Sequence, residues 1–169
     1  EMAATDEMVK IALDVKPDMV TLVPEKRAEL TTEGGLNVLQ SRDKLSKQVK
    51  RLKEGGITVS LFINPEADHI KAAKKIGADY VEIHTGRYAD ALSKKEEDAE
   101  YVDIINAVHD AKKRRLGINA GHGLNYMNIK RIARIFEIEE FSIGHGIIAR
   151  AVLVGLERAV REMVDLVKG

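Results

Sequence analysis

Short runs of β-branched and apolar residues alternate along the chain with longer segments in which apolar residues recur every three to four positions. The short runs predict strands over Met19–Val23, Thr58–Ile63, Tyr80–His84, Leu116–Ala120 and Phe141–Ile143. Between them the longer period predicts helices. Met8, Ile11, Ala12 and Val15 line one face of the first, with Thr5 and Asp6 as capping candidates. Leu45, Val49 and Leu52 mark a second, which Gly55-Gly56 ends. A third runs from Asp68 to Ile76 and stops at Gly77, and Tyr101, Ile104, Ile105 and Val108 define a fourth. A short helix is expected from Asn128 toward Ile135, and the last lies within Ile147 to Val167.

Strand, helix, strand repetition implies right-handed crossovers and a parallel sheet. An open doubly wound sheet and a closed barrel both satisfy that pattern. The segment Val81-Glu82-Ile83-His84 separates them, because a period of two sends Val81 and Ile83 to one face and Glu82 and His84 to the other. A strand covered by helices on both faces reads apolar throughout. A barrel strand can instead aim polar groups into the lumen near its catalytic end, so the expected fold is an α/β (β/α)8 TIM barrel.

A complete barrel takes about 250 residues and eight strands. Five strands and the stub Glu1-Met2-Ala3-Ala4 cannot close one, and the chain opens on Glu1 rather than Met. Residues 1–169 therefore read as the C-terminal portion of a single barrel domain, lacking the first two strands and most of the third.

Composition narrows the function classes. Lys plus Arg and Asp plus Glu both total 27, and this balance gives no basic surplus for a nucleic-acid partner. The basic run Lys112-Lys113-Arg114-Arg115 follows Glu96-Glu97-Asp98 and is expected at the end of the same helix, where cations complement the dipole. Without cysteine there is no disulfide or thiolate metal site, and a reducing cytoplasm is the expected compartment. No apolar run approaches the ~20 residues that span a bilayer, so no membrane partner is expected.

Candidate chemistry collects directly after the strands. Pro24-Glu25-Lys26-Arg27 and Thr31-Thr32-Glu33-Gly34-Gly35 follow one, and Thr85-Gly86-Arg87 another. The final two strands end in Gly121-His122-Gly123 and Gly144-His145-Gly146. Glycines there let backbone N–H groups approach an anion, and a following helix start adds a favourable dipole. Loops after the last two barrel strands are the usual phosphate site of the fold.

His84, His122 and His145 stand at strand ends and could converge, as phosphate ligands, acid–base groups or metal ligands. No His-x-His pair or ligand-spaced carboxylate accompanies them, which disfavours a metal. His69 and His109 are expected on helix surfaces. Glu82 is expected inside the lumen, where a carboxylate is costly without a partner. Glu25, Glu33 and Arg87 are equally readable as loop charges.

Taken together, several ordered segments resemble the pyridoxine 5′-phosphate synthase family. They are Glu1-Met2-Ala3-Ala4-Thr5, Val20–Arg27, Thr31–Leu36, Val81–Tyr88, Asn119–Tyr126 and Ile143–Ala151. Met127 departs from the histidine often found there in the family. The resemblance implies a cofactor-free condensation of 3-amino-2-oxopropyl phosphate with 1-deoxy-D-xylulose 5-phosphate. It implies Glu1 as general base, His122 as general acid and Glu82 as the carboxylate stabilising a charged intermediate. It also implies Thr31 as a contact to the sugar phosphate, and Gly123, Gly144 and His145 as the site of the amino ketone phosphate. Its partners would be phosphorylated small molecules and copies of itself, in symmetric homo-oligomers (octamers). The competing readings are another sugar-phosphate barrel enzyme, and a barrel fragment that only binds or assembles.

Overall fold

The computed structural model describes residues 1–25, 29, 31 and 34–169. The expectations placed on Lys26, Arg27, Thr32 and Glu33 lie outside the described residues. Among those described, six parallel strands form one sheet in chain order: β1 (Met2–Ala3), β2 (Met19–Val23), β3 (Thr58–Ile63), β4 (Tyr80–His84), β5 (Gly117–Gly121) and β6 (Glu140–Ser142). The stub before Thr5 thus forms a two-residue strand, paired through Met2 with Leu22 and Ala3 with Val23. Helices α1 (Asp6–Val15), α2 (Arg42–Glu54), α3 (Ala67–Ile76), α4 (Gly86–Asp90), α5 (Lys94–Lys113), α6 (Ile129–Ile132), α7 (His145–Val154) and α8 (Leu156–Lys168) complete the chain.

The sheet curls into part of a barrel. Asn119 on β5 brings its Nδ2 within 3.9 Å of the Met19 sulfur on β2, although two strands lie between them. Alternation assigns the two faces. Leu22, Leu61, Ile63, Val81 and Ile83 are fully buried in the cluster that also contains Leu45, Ile70 and Ile104 from the helices. Each such side chain contributes roughly 1.5–3 kcal/mol by leaving water. The opposite face carries Thr21, Ser60, Phe62, Glu82, His84 and Asn119, so the concave side is largely polar.

Local signals explain most element ends. Thr5 caps α1, its hydroxyl accepting from the Met8 N–H at 3.2 Å. Ser93 and Glu96 form a reciprocal capping box at α5. The basic run closes α5, with Lys112 paired to Glu137 and Arg114 to Asp110. Arg114 is its C-cap.

Four expectations need correction. The last two strands end one residue away from their predicted limits, at Gly121 and Ser142. The short helix α4 follows β4 directly and was not expected. The last helical stretch is two helices broken at Gly155, whose φ of 84° and ψ of 151° exclude ordinary side chains. Finally, His69 is 5% exposed rather than a surface residue. Helix α3 is packed between α2 and α5, so more than one stripe of its circumference is covered. His109 is exposed, as its position on the polar side of α5 implies.

Candidate active site

An open cleft of about 970 Å³ lies at the C-terminal ends of the strands. It is lined by Glu1, Glu82, His122, Gly123, Gly144 and His145, together with Phe62 and Ser142. Six of the seven residues to which the family resemblance gives a role therefore share one surface. Thr31 is not part of that lining, but its carbonyl accepts from the N–H of Gly34, which does line the cleft.

Glu82 reaches the cleft from the middle of β4 and is 4% exposed. Burial raises its carboxyl from the usual 4.5 to about 7, and the neighbouring Glu1 carboxylate pushes the same way. A hydrogen bond from Ser142 opposes the rise. This leaves a carboxyl that can hold or release a proton near neutrality. Space for it depends on Gly121 at the end of β5, two residues beyond Asn119, the register partner of Glu82. A Cβ built there would overlap Glu82 Oε1 and come within 2.9 Å of the Ser142 Cβ.

His84, two residues further along β4, packs against His122 with ring centroids 4.8 Å apart. The Phe62 ring meets His84 edge-on at 5.0 Å and His122 at 6.2 Å. Burial, then the nearby His122, lowers His84 from 6.5 to about 4, with Asp90 acting in the opposite direction. The His84 ring is therefore neutral at physiological pH and offers His122 an uncharged wall.

His122 itself has a φ of 79°, a left-handed conformation rarely held by a residue with a side chain. Thr85 helps hold it. The Thr85 hydroxyl lies 2.6 Å from the His122 carbonyl and 2.8 Å from that of Gly121, and its N–H donates to the Gly121 carbonyl at 2.9 Å. On the other side, the Asn128 amide donates to the Gly123 carbonyl at 3.2 Å and accepts from the Asn125 N–H at 2.8 Å. The strained histidine is thus clamped from both neighbours, as strained functional residues must be.

Gly144 precedes α7, and His145 is its first residue. Gly144, His145 and Gly146 of that helix start line the cleft, and the unpaired N–H groups of a helix start favour an anion. A Cβ at Gly144 would meet no protein atom within 4 Å, so packing within the chain does not require glycine there. Arg87, ambiguous in the sequence, forms an ion pair with Glu100 at 2.7 Å. The Glu25 N–H donates to Glu29 Oε2 at 3.1 Å. Among the described residues, no group of three or more His, Asp or Glu is arranged to hold a metal ion.

Phe62, Ser142 and Asn64 were not singled out from the sequence, and Thr85 was named only as part of the loop after β4. Period-two alternation could have placed Phe62 beside Ser60 on the lumen face. Nothing in the local pattern marks Asn64 or the clamping role of Thr85, whose partners lie 29 and 36 residues away.

Comparison with known proteins places the chain in a family. The family model described as "Pyridoxal phosphate biosynthesis protein PdxJ" matches residues 1–169. The pyridoxine 5′-phosphate synthase of Geotalea uraniireducens (strain Rf4) is 63% identical over 168 residues, 99% of this chain and 70% of the relative. That of Syntrophobacter fumaroxidans is 58% identical over 169 residues, all of this chain and 71% of the relative.

Solved structures resemble the chain in fold alone. The xylose isomerase domain protein of Planctomyces limnophilus aligns with a TM-score of 0.53 at 12% identity, over 94% of this chain and 66% of that one. The Amycolatopsis orientalis BexX/CysO complex gives 0.52 at 9%, over 95% and 62%. No described helix is long and apolar enough to cross a membrane. With a family model matched along its whole length and such high identity to named synthases, the chain belongs to the pyridoxine 5′-phosphate synthase family.

Proposed function

We propose that the protein condenses 3-amino-2-oxopropyl phosphate with 1-deoxy-D-xylulose 5-phosphate, giving pyridoxine 5′-phosphate, inorganic phosphate and water. The observation that carries this reading is the single cleft shared by Glu1, Glu82, His122 and the Gly144–His145 helix start. Phosphate binding and acid–base chemistry then meet on the face where barrels catalyse.

The condensation needs an imine between amine and ketone, followed by proton transfers and eliminations. Each step can be served by side chains, so no cofactor is required. Glu1 removes a proton as general base, and His122 supplies one to a departing oxygen as general acid. Glu82, buried in a low-dielectric wall, faces the cation that forms when the imine is protonated. Gly123, Gly144 and His145 hold the phosphate of the amino ketone, and Thr31 contacts the sugar phosphate.

The six strands are the end of the third and the whole of the last five strands of a TIM barrel. Supporting this, the curled sheet has open edges at β1 and β6, and the curated relatives above extend beyond the part matched here. Beside β6, an apolar groove of about 300 Å³ lined by Phe141, Ile143, Val160 and Val164 suits the packing of further barrel elements. Residues 1–169 alone are then inactive, because an edge-exposed sheet leaves Glu1 without a fixed neighbour on one side. The protein acts in the cytoplasm as a symmetric homo-oligomer, for which the exposed Val152 and Leu153 of α7 offer apolar surface.

Gly144→Val tests the phosphate assignment, since it adds bulk where only a ligand would meet it. In the full-length enzyme the KM for the amino ketone phosphate should rise about tenfold or more, with the KM for the sugar phosphate little changed. Equal effects on both substrates would contradict the assignment.

A further inference from the structure

The turn that carries Thr31 is tied to the barrel wall by Asn64, the residue immediately after β3. Asn64 is 1% exposed. The Gly35 N–H donates to its Oδ1 at 3.1 Å. A backbone N–H can only donate, so this contact settles which end of the amide is oxygen. The nitrogen end donates to Thr31 Oγ1 at 2.9 Å and to Glu66 Oε1 at 3.2 Å.

Thr31 is hydrogen-bonded directly to Gly34 and Gly35. The Thr31 N–H donates to the Gly35 carbonyl at 2.8 Å, and the Gly34 N–H to the Thr31 carbonyl at 3.3 Å. One amide therefore grips both Thr31 and Gly35. The approach is too close for a side chain at position 35, where a Cβ would lie 2.6 Å from Asn64 Oδ1 and 2.8 Å from the Asn64 backbone nitrogen. On its other side the turn presents Gly34 to the cleft, against the His84 ring.

A buried amide costs free energy unless its bonds are made. Among the described residues, those of the Asn64 side chain go to Gly35, Thr31 and Glu66, and none joins a strand or helix backbone. Its burial therefore serves the turn. A turn held before substrate arrives spares the ordering cost of binding.

We infer that Asn64 is a positioning residue for the sugar-phosphate subsite, setting where Thr31 meets 1-deoxy-D-xylulose 5-phosphate. This rests on the reading of Thr31 as a contact to that substrate. Asn64 is not part of the cleft lining and acts through the turn.

The test is made in the full-length enzyme. Asn64→Asp keeps the shape and the acceptor for Gly35, removes the donor to Thr31 and sets a like charge beside Glu66. The KM for the sugar phosphate should rise about tenfold, while the KM for the amino ketone phosphate stays within about twofold and kcat within about threefold. A fall in kcat with an unchanged sugar-phosphate KM would overturn the inference.

Thr31→Val separates the two claims. If it leaves the sugar-phosphate KM unchanged, the Thr31 reading fails. If it raises that KM and Asn64→Asp does not, the Asn64 inference alone fails. The double variant should be no worse than the more affected single one, and fully additive losses would overturn action through Thr31. Should Asn64→Asp lose its cooperative melt, Gly35→Ala lifts the turn off an intact Asn64. The same one-sided KM change is expected from it, and proportional losses for both substrates would overturn the inference.

Discussion

The imidazole of His84 lies 4.8 Å from that of His122, centroid to centroid, with the rings tilted by 36°. Two histidines this close cannot readily both carry charge, and burial decides which stays neutral. His84 is held down to about 4, so the ring packed against His122 is uncharged at neutral pH. Glu82, on the same strand, is displaced the other way, to about 7. Environments that push neighbouring groups apart in this manner are characteristic of acid–base sites.

These displacements make stability depend on pH in opposite directions. Between pH 4.5 and about 7 the folded chain keeps a proton on Glu82 that the unfolded chain has released. The stability from Glu82 is therefore full below 4.5 and lost as pH rises through 7, a change of roughly 3 kcal/mol. For His84 the unfolded chain binds the proton first, so stability falls as pH drops from 6.5 through about 4. Denaturant titrations of wild type and Glu82→Gln at pH 4.5 and 8 isolate the first effect. The variant should gain on the wild type at pH 8 by about that amount, and pH-independent differences would show that Glu82 is not buried as described.

Gly121 supplies a steric test. Its absent Cβ is what lets Glu82 Oε1 and Ser142 meet across β5. Gly121→Ala should displace the carboxylate or part β5 from β6, costing about 1–3 kcal/mol of stability and lowering turnover. Wild-type melting and turnover would mean that Glu82 does not occupy this position.

The strand–helix order, the lumen direction of Glu82 and His84 and the shared face of the two Gly-His-Gly loops were all legible in the sequence. Each is carried by local periodicity or by position after a strand. The burial of His69 was not, because it depends on α2 and α5 closing over both flanks of α3. The break at Gly155 was hidden by apolar residues on both sides of it. Asn64 was invisible for a related reason. Its significance comes from a turn far away in sequence folding back onto it, and a lone Asn before Pro65 carries no motif.

The central claim is that a cleft-lining His122, clamped at the end of β5, drives formation of pyridoxine 5′-phosphate. It is tested by supplying both phosphorylated substrates and measuring that product with three proteins: the full-length enzyme, its His122→Asn variant, and residues 1–169 alone. His122→Asn keeps a polar side chain but cannot transfer a proton near pH 7. Product is expected from the full-length enzyme, a fall of roughly 10²–10⁴ in turnover for the variant, and none from the 169 residues. Unchanged turnover in the variant, or no product from the full-length enzyme, would contradict the account.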